Sequence, residues 1–286
     1  MIYTTLISVP QLISESGDPD LAVIDCRFSL ADPELGRQNY LEAHIPGAIY
    51  AHLDEDLCSP VIEGVTGRHP LPSVENFADK LGDWGINSSS QVVVYDDAGG
   101  AMAASRLWWL LRWLGHYAVS VLDGGWQAWL KSGEAVREGQ ETRSSSLFIP
   151  HVRHGRLIEK DEIIARMHDS NFLLIDSRDE ARYRGEVEPI DPVAGHIPGA
   201  LPSPHLNILD AEGRFLPPEA LRHYFQPLLG EISPRDTVFY CGSGVTATQN
   251  VLAMEHAGMG DARLYAGSWS EWISDPERPI ATGEGT

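Results

Sequence analysis

The chain has 286 residues, of which 43% are apolar, and a formal charge of −20 from 41 acidic and 21 basic side chains. This length predicts about two domains, and the apolar and aromatic content excludes a disordered chain. The acidic surplus argues against nucleic acid and anionic membranes as partners, so an anionic small substrate would need local arginines and backbone N–H groups.

The number of cysteines and the hydropathy of the sequence indicate in which cellular compartment the protein is expected. Cys26, Cys58 and Cys241 are too few for a disulfide scaffold, and no Cys-x-x-Cys or Cys/His cluster indicates a metal site. No apolar run approaches the ~20 residues of a membrane span, and residues 1–20 lack a basic signal region. We therefore expect a cytoplasmic protein with no membrane partner, no metal and no cofactor.

The predicted elements follow one pattern in both halves of the chain. The first half has strands at 21–25, 92–96 and 119–122 and helices near 74–83, 101–115 and 125–131. The second half has strands at 172–176, 237–241 and 262–265 and helices near 218–228 and 246–257. Buried strands that alternate with helices predict an α/β fold with a mostly parallel sheet.

The two halves are also an internal sequence repeat. His-Ile-Pro-Gly-Ala occurs at 44–48 and again at 196–200, and Asp-x-Arg occurs at 25–27 and again at 176–178. Because both halves contain Asp-x-Arg, we interpret its arginines as structural ion-pair partners. The stretch 133–155 is polar and serine-rich. We predict domains at 1–135 and 156–286, joined by a linker at 136–155.

Residues 240–247, with the sequence YCGSGVTA, contain the candidate nucleophile. They place Cys241 between the end of a strand and the start of a helix, where backbone N–H groups and the helix dipole stabilise a thiolate. A buried structural cysteine or a phosphate-binding loop remains the alternative for these residues taken alone. Alignment of the halves puts Asp96 opposite Cys241. Only the second half therefore has a thiol at this loop position, and the first half is expected to act as a scaffold.

Two other classes of protein lack their required residues. A dual-specificity phosphatase needs an arginine six positions past its cysteine, where this chain has Ala247. A nucleotide-binding protein needs a glycine-rich loop after its first strand, where this chain has Asp25-Cys26-Arg27.

The combination of motifs resembles the tandem-domain rhodanese sulfurtransferases over nearly the whole chain. It consists of the paired Asp-x-Arg strands, both HIPGA segments, a Gly-x-x-Trp-like segment after the last strand of each half, and CGSGVTA in the second half. The resemblance implies two rhodanese-like domains. It also implies that Cys241 takes a sulfane sulfur from a small anionic donor and passes it to a thiol or cyanide. A thiosulfate sulfurtransferase proper and a non-catalytic sulfur-relay or regulatory module are the alternatives.

The loop is most similar to that of the 3-mercaptopyruvate enzymes. Gly242 and Ser243 stand where thiosulfate enzymes commonly have basic residues. Ser243 is a candidate hydrogen-bond partner of a keto-acid donor. We expect the N–H groups of Gly242, Gly244, Val245 and Thr246 to form an anion nest around the persulfide. Loop or helix-cap hydrogen bonding is the alternative for Ser243 and Thr246.

The resemblance also assigns residues that bind the donor. Arg182 matches the arginine that binds the donor's anionic group, and its guanidinium fork suits a carboxylate. Mercaptopyruvate enzymes are similar in having a second arginine after a Glu-Pro segment, where this chain has Ile190. Arg184 is the candidate replacement.

A proton relay completes the set implied by the resemblance. Asp56 and His69 match the aspartate and histidine that are assigned to act with the loop serine, Ser243. Histidine is suited to carry a proton near neutral pH when a pyruvate enolate must be protonated. A surface-loop position is the alternative for His69.

Overall fold

The structure is a computed structural model that describes residues 2–284. These residues form two compact units, each with a sheet of its own. The first unit comprises the chain up to Ser59, Leu71–Arg153 and Ala211–Phe215, and the second comprises Pro60–Pro70, His154–Asp210 and the chain from Leu216. The segment that contains His69 therefore packs with the second unit. The domain boundaries 1–135, 136–155 and 156–286 remain a prediction.

The first unit contains a parallel sheet covered by helices. Its strands are β1 (Leu6–Ile7), β2 (Leu21–Asp25), β3 (Ile49–Tyr50), β4 (Gln91–Tyr95) and β5 (Val119–Leu122), in the order β1-β5-β4-β2-β3. Its helices are α1 (Val9–Glu15), α2 (Leu35–Glu42), α3 (Leu53–Asp56), α4 (Val74–Asp83), α5 (Ala104–Trp113) and α6 (Gly125–Ser132). The interior strand β2 is buried at every position, as expected for a strand covered on both faces.

The second unit repeats this arrangement on a smaller scale. Its parallel strands are β6 (Leu173–Asp176), β7 (Leu201–Pro202), β8 (Thr237–Tyr240) and β9 (Arg263–Leu264), in the order β7-β6-β8-β9. Its helices are α7 (Lys160–Arg166), α8 (Glu180–Tyr183), α9 (Pro218–Leu229), α10 (Ala247–His256) and α11 (Ser268–Trp272). Its core packs β-sheet residues such as Val238 against Trp269 and Trp272.

The predicted α/β class and its principal elements are confirmed. Every strand and helix predicted from the sequence is present, and the differences lie at the element ends. The two-residue edge strands β1, β3 and β7 and the helices α1, α2, α3, α7, α8 and α11 had not been predicted. Among residues 2–284, no helix combines the length and the apolar character that crossing a bilayer requires.

The register of the second sheet positions the functional loop. Asp176 at the end of β6 pairs with Tyr240 at the end of β8, so the following residues meet at the same edge of the sheet. Loops at the carboxyl edge of parallel strands are where α/β proteins place their ligands. Cys241 is the first residue beyond this edge.

Candidate active site

Cys241 is fixed through its backbone and lies beneath its own loop. Its N–H donates to Ser268 Oγ at 3.1 Å, and its carbonyl accepts from Trp269 N–H at 3.0 Å. The N–H of Gly244 donates to Cys241 Sγ at 3.2 Å. The residue is only 2% exposed. A backbone N–H that points at the sulfur can stabilise negative charge on it during the reaction.

The loop after Cys241 offers further backbone donors. In the part of the chain that the structure describes, the N–H groups of Gly242, Val245 and Thr246 have no protein acceptor. Gly244 has a φ of 74°, and a Cβ there would collide with the carbonyl oxygen of Ala266. The hydroxyl of Thr246 makes no capping bond to α10. The geometry therefore supports an anion nest at the loop and gives no support to helix capping by Thr246.

Ser243 and His69 form a buried pair beside this loop. His69 Nδ1 lies 2.7 Å from Ser243 Oγ, and the two residues are 6% and 7% exposed. The segment Pro60–Pro70 brings the histidine into the second unit. The surface-loop alternative for His69 is therefore wrong. An imidazole and a hydroxyl in this contact can exchange a proton.

Asp56, the third residue of the expected relay, lies in the first unit. One carboxylate oxygen accepts from the N–H of His52 at 2.8 Å, and the other lies 2.7 Å from Lys80 Nζ. These contacts give Asp56 a local structural role at the start of α3. Its part in a relay with His69 and Ser243 remains a prediction.

Arg182 is held next to the loop by two buried carboxylates. Its Nε lies 3.1 Å from Glu188 Oε2, and its Nη2 lies 2.6 Å from Glu188 Oε1 and 3.3 Å from Asp191 Oδ2. Burial opposes ionisation of Glu188, but the Arg182 guanidinium brings the pKa of that carboxyl below its ordinary value. A methyl group placed on Gly242 would lie 3.5 Å from Nη2 of Arg182. The guanidinium therefore adjoins the residue that follows the cysteine.

A second arginine, Arg68, also adjoins the loop and is not among the site residues predicted from the sequence. A methyl group on Gly242 would lie 2.9 Å from Arg68 Nη2. Its Nη1 forms an ion pair with Asp191, and its backbone N–H donates to Ser270 Oγ at 3.0 Å. The available signal was its position directly before His69, which had already been assigned to the site.

The Asp-x-Arg motifs are structural, as predicted. Each forms a buried ion pair at the end of a central strand, with Nη2–Oδ2 distances of 2.6 Å in both units: Arg27 with Asp25, and Arg178 with Asp176.

One group of side chains within residues 2–284 has the spacing of metal ligands, namely Glu34, His52 and Glu55. His52 Nε2 lies 3.1 Å from the carbonyl of Pro33, while Nδ1 accepts from backbone N–H groups at the start of α3. Arg37 pairs with both glutamates. Both ring nitrogens of His52 are thus engaged with backbone groups, and Arg37 already neutralises the glutamates, so the group does not fit a metal site. The expectation of no metal and no cofactor stays a prediction.

Comparison with known proteins places the chain in a family. The model of the rhodanese-like domain matches residues 8–132 and again 159–275. The chain belongs to the rhodanese family. A probable 3-mercaptopyruvate sulfurtransferase of Pseudomonas aeruginosa is 50% identical over 99% of this chain and 100% of its own length. A putative thiosulfate sulfurtransferase of Mycobacterium tuberculosis is 39% identical over 94% of this chain and 93% of its own.

A solved structure gives the same result for the fold. The 3-mercaptopyruvate sulfurtransferase from Leishmania major superposes with a TM-score of 0.82 at 30% identity, over 96% of this chain and 75% of that one. Both matched segments are thus rhodanese domains, and the thiol of Cys241 stands in the second of them. In the first rhodanese domain the corresponding loop begins with Asp96.

Proposed function

We propose that this sulfurtransferase takes sulfur from 3-mercaptopyruvate and carries it as a persulfide on Cys241. The observation that carries the choice of donor is the 2.7 Å contact between His69 Nδ1 and Ser243 Oγ beside the cysteine loop. The name of the Pseudomonas relative supports the same donor.

The need for a proton separates the two candidate donors. Removal of sulfur from thiosulfate breaks an S–S bond and releases sulfite, which needs no proton at neutral pH. Removal of sulfur from mercaptopyruvate breaks a C–S bond and leaves the enolate of pyruvate, which must be protonated. Because general acid catalysis helps only the second reaction, the serine–histidine pair favours the mercapto acid.

The transfer has two steps. The Cys241 thiolate forms an S–S bond with the donor sulfur, the C–S bond breaks, and its electron pair passes into the enolate while the thiol proton stays on the outer sulfur. When both ring nitrogens of His69 carry a proton, Nδ1 donates to Ser243 Oγ. The serine's own proton passes to the enolate, the Nδ1 proton replaces it on the serine, and the ring then takes up a proton from solvent. An acceptor thiol or cyanide then attacks the outer sulfur, and the electron pair of the S–S bond returns to Cys241.

The loop donors and Arg182 have separate roles in this scheme. The N–H groups of Gly242, Gly244, Val245 and Thr246 stabilise negative charge on the persulfide. Arg182 binds the donor's carboxylate.

We place the reaction in the cytoplasm, with a thiol as the cellular acceptor. All three cysteines of the chain are unpaired, as is usual in a reducing compartment.

Intact-mass spectrometry after mixing with each donor tests the persulfide. The wild-type protein should gain one sulfur atom from 3-mercaptopyruvate and lose it on addition of cyanide. Cys241→Ala should abolish the gain, whereas the matched variant Cys58→Ala should retain it. A sulfur gain that persists in Cys241→Ala would exclude Cys241 as the carrier.

Side-by-side values of kcat/KM test the donor. Ser243→Ala should lower kcat/KM for 3-mercaptopyruvate about 100-fold, the usual size of a lost general acid, and leave that for thiosulfate nearly unchanged. Ser274→Ala, which removes a hydroxyl that donates to the carbonyl of Glu271, serves as the control. A wild-type preference for thiosulfate would overturn the choice of donor.

A further inference from the structure

Two guanidinium groups, not one, face the residue after Cys241. A methyl group on Gly242 would lie 2.9 Å from Nη2 of Arg68 and 3.5 Å from Nη2 of Arg182. The two arginines come from segments far apart in the sequence, and both belong to the second unit. A Cβ on Gly242 would crowd Arg68 Nη2, so the guanidinium groups lie close against the backbone of the residue that follows Cys241.

The two guanidinium groups share an anchor. One carboxylate oxygen of Asp191 pairs with Nη1 of Arg68, and the other lies 3.3 Å from Nη2 of Arg182. Glu188 holds Arg182 through two further bonds, of 2.6 and 3.1 Å. Both carboxylate side chains are 4% exposed. Guanidinium groups fixed in this way lose little entropy when they bind an anion, so the site is preorganised.

Donor groups of both arginines remain available for a ligand. The ion pairs use Nη1 of Arg68, and they use Nε and Nη2 of Arg182. Within the described chain, neither Nη2 of Arg68 nor Nη1 of Arg182 has a protein acceptor. Two N–H edges from separate guanidinium groups suit the two oxygens of a carboxylate.

We propose that Arg68 and Arg182 together form the binding site for the carboxylate of a 2-keto acid donor, with Arg68 as a residue that determines donor specificity. This inference rests on the function proposed above. In this proposal Arg68 supplies the second guanidinium group of the site, because Ile190 occupies the position where mercaptopyruvate enzymes have their second arginine.

The neighbouring arginines, Arg184 and Arg178, form ion pairs with other carboxylates. Arg184 pairs with Glu180 at 3.1 Å and with Glu186 at 2.8 Å, and both partners are exposed. Arg178 is held by Asp176 at 2.6 Å. Arg184 is therefore not the replacement suggested by the sequence, and it offers a matched control for loss of one arginine.

The test uses Arg68→Gln, Arg68→Lys and the control Arg184→Gln in the full-length protein. Two quantities are measured for each: KM and kcat with 3-mercaptopyruvate, and the inhibition constant of pyruvate against thiosulfate as donor. Pyruvate carries the same keto-acid group and gives up no sulfur, so it reports binding alone. The backbone bond from Arg68 to Ser270 survives every substitution, which favours folding of the variants.

Arg68→Gln should raise KM for 3-mercaptopyruvate and the pyruvate inhibition constant by about 10- to 100-fold, the usual effect of losing a hydrogen bond to a charged group. Its kcat should change little, because Arg68 is expected to act in binding. A lower kcat would instead indicate that the substitution disturbs the adjacent His69. Arg68→Lys keeps the charge but loses the planar fork, so its values should be intermediate. Arg184→Gln should match the wild type.

The inference is overturned if Arg68→Gln binds pyruvate as tightly as the wild type does, or if pyruvate fails to inhibit the wild type. The proposed function fails in a different way, through the absence of sulfur transfer from 3-mercaptopyruvate to the wild-type protein. Pyruvate inhibition of thiosulfate turnover still tests Arg68 in that event.

Discussion

Ser268 adopts a backbone conformation that normally favours glycine. Among residues 2–284, Ser268 is the only non-glycine residue with a positive φ, which is 55°. Its hydroxyl accepts from the N–H of Cys241 at 3.1 Å and donates to the carbonyl of Tyr265 at 2.9 Å. The equivalent residue of the first unit is Gly125, with a φ of 52°. The strained residue thus occurs where its hydroxyl can fix the backbone of the nucleophile.

We expect Ser268 to position Cys241, and two substitutions separate this role from stability. Ser268→Gly and Ser268→Ala both remove the hydroxyl, so both should lower kcat about fivefold, the effect of one neutral hydrogen bond, with the donor KM unchanged. Ser268→Gly should be more stable than Ser268→Ala by about 1 kcal/mol, because glycine tolerates the left-handed conformation. Steady-state kinetics and urea unfolding measure the two effects.

Ser274→Ala is again the control for loss of a hydroxyl near α11. If kcat followed stability, so that the glycine variant was as active as the wild type, the positioning role would be excluded.

At the scale of the element, the loop after β4 shows what the loop after β8 is built to bind. In the first unit the side-chain oxygens of Asp96 accept from the N–H groups of Ala98, Gly100, Met102 and Ala104, at 2.8–3.2 Å. The carbonyl of Asp96 accepts from Trp126 N–H at 2.9 Å, as that of Cys241 does from Trp269 N–H at 3.0 Å. The first loop thus contains its own anion, at the position where the second contains the thiol.

Loss of the Asp96 carboxyl should destabilise the first unit. Asp96→Ala leaves several N–H groups without an acceptor at a fully buried site, so we expect a loss of about 2–4 kcal/mol in the free energy of unfolding. Asp97→Ala, at the exposed neighbouring position, should stay within about 0.5 kcal/mol of the wild type. Urea unfolding followed by circular dichroism measures both. Equal midpoints for the two variants would show that the loop does not depend on this anion.

The sequence repeat was sufficient to predict the central strands and the cysteine loop. β2, β4, β6 and β8 are continuous apolar runs, and their buried positions leave a clear pattern in the sequence. The two-residue edge strands β1, β3 and β7 were missed, because so short an element has no periodicity and forms only by pairing with its neighbour.

The binding residues were predictable only in part. Arg182 and the loop follow from local motifs, whereas the position of Arg68 depends on the packing of Pro60–Pro70 with the second unit. In the sequence, Gly67-Arg68-His69 resembles Gly213-Arg214-Phe215, which packs with the first unit. Local sequence does not encode which sheet such a loop contacts, so the role of Arg68 became visible only in the structure.

For the whole molecule, duplication of the fold has not duplicated the chemistry. Both rhodanese domains keep the buried Asp-x-Arg pair and the strand that leads to the loop, and one of them has a cysteine there.

The other thiols, Cys26 and Cys58, lie in the first unit. Burial, reinforced by Asp25, raises the pKa of Cys26 well above its ordinary value. Burial also raises the pKa of Cys58 to about 11, although Arg106 acts in the opposite direction.

These pKa shifts predict one persulfide per chain. A raised pKa keeps a thiol protonated at neutral pH, and the thiolate is the form that attacks a donor sulfur. With excess donor at about pH 8, intact-mass spectrometry should therefore show one added sulfur, and peptide mapping should place it on Cys241. As the pH rises towards about 11, Cys58 should begin to react with iodoacetamide, while Cys26 should stay unreactive until the protein unfolds. Two added sulfurs per chain near neutral pH would show that a first-unit thiol is ionised despite its burial, and would remove the distinction between the two domains.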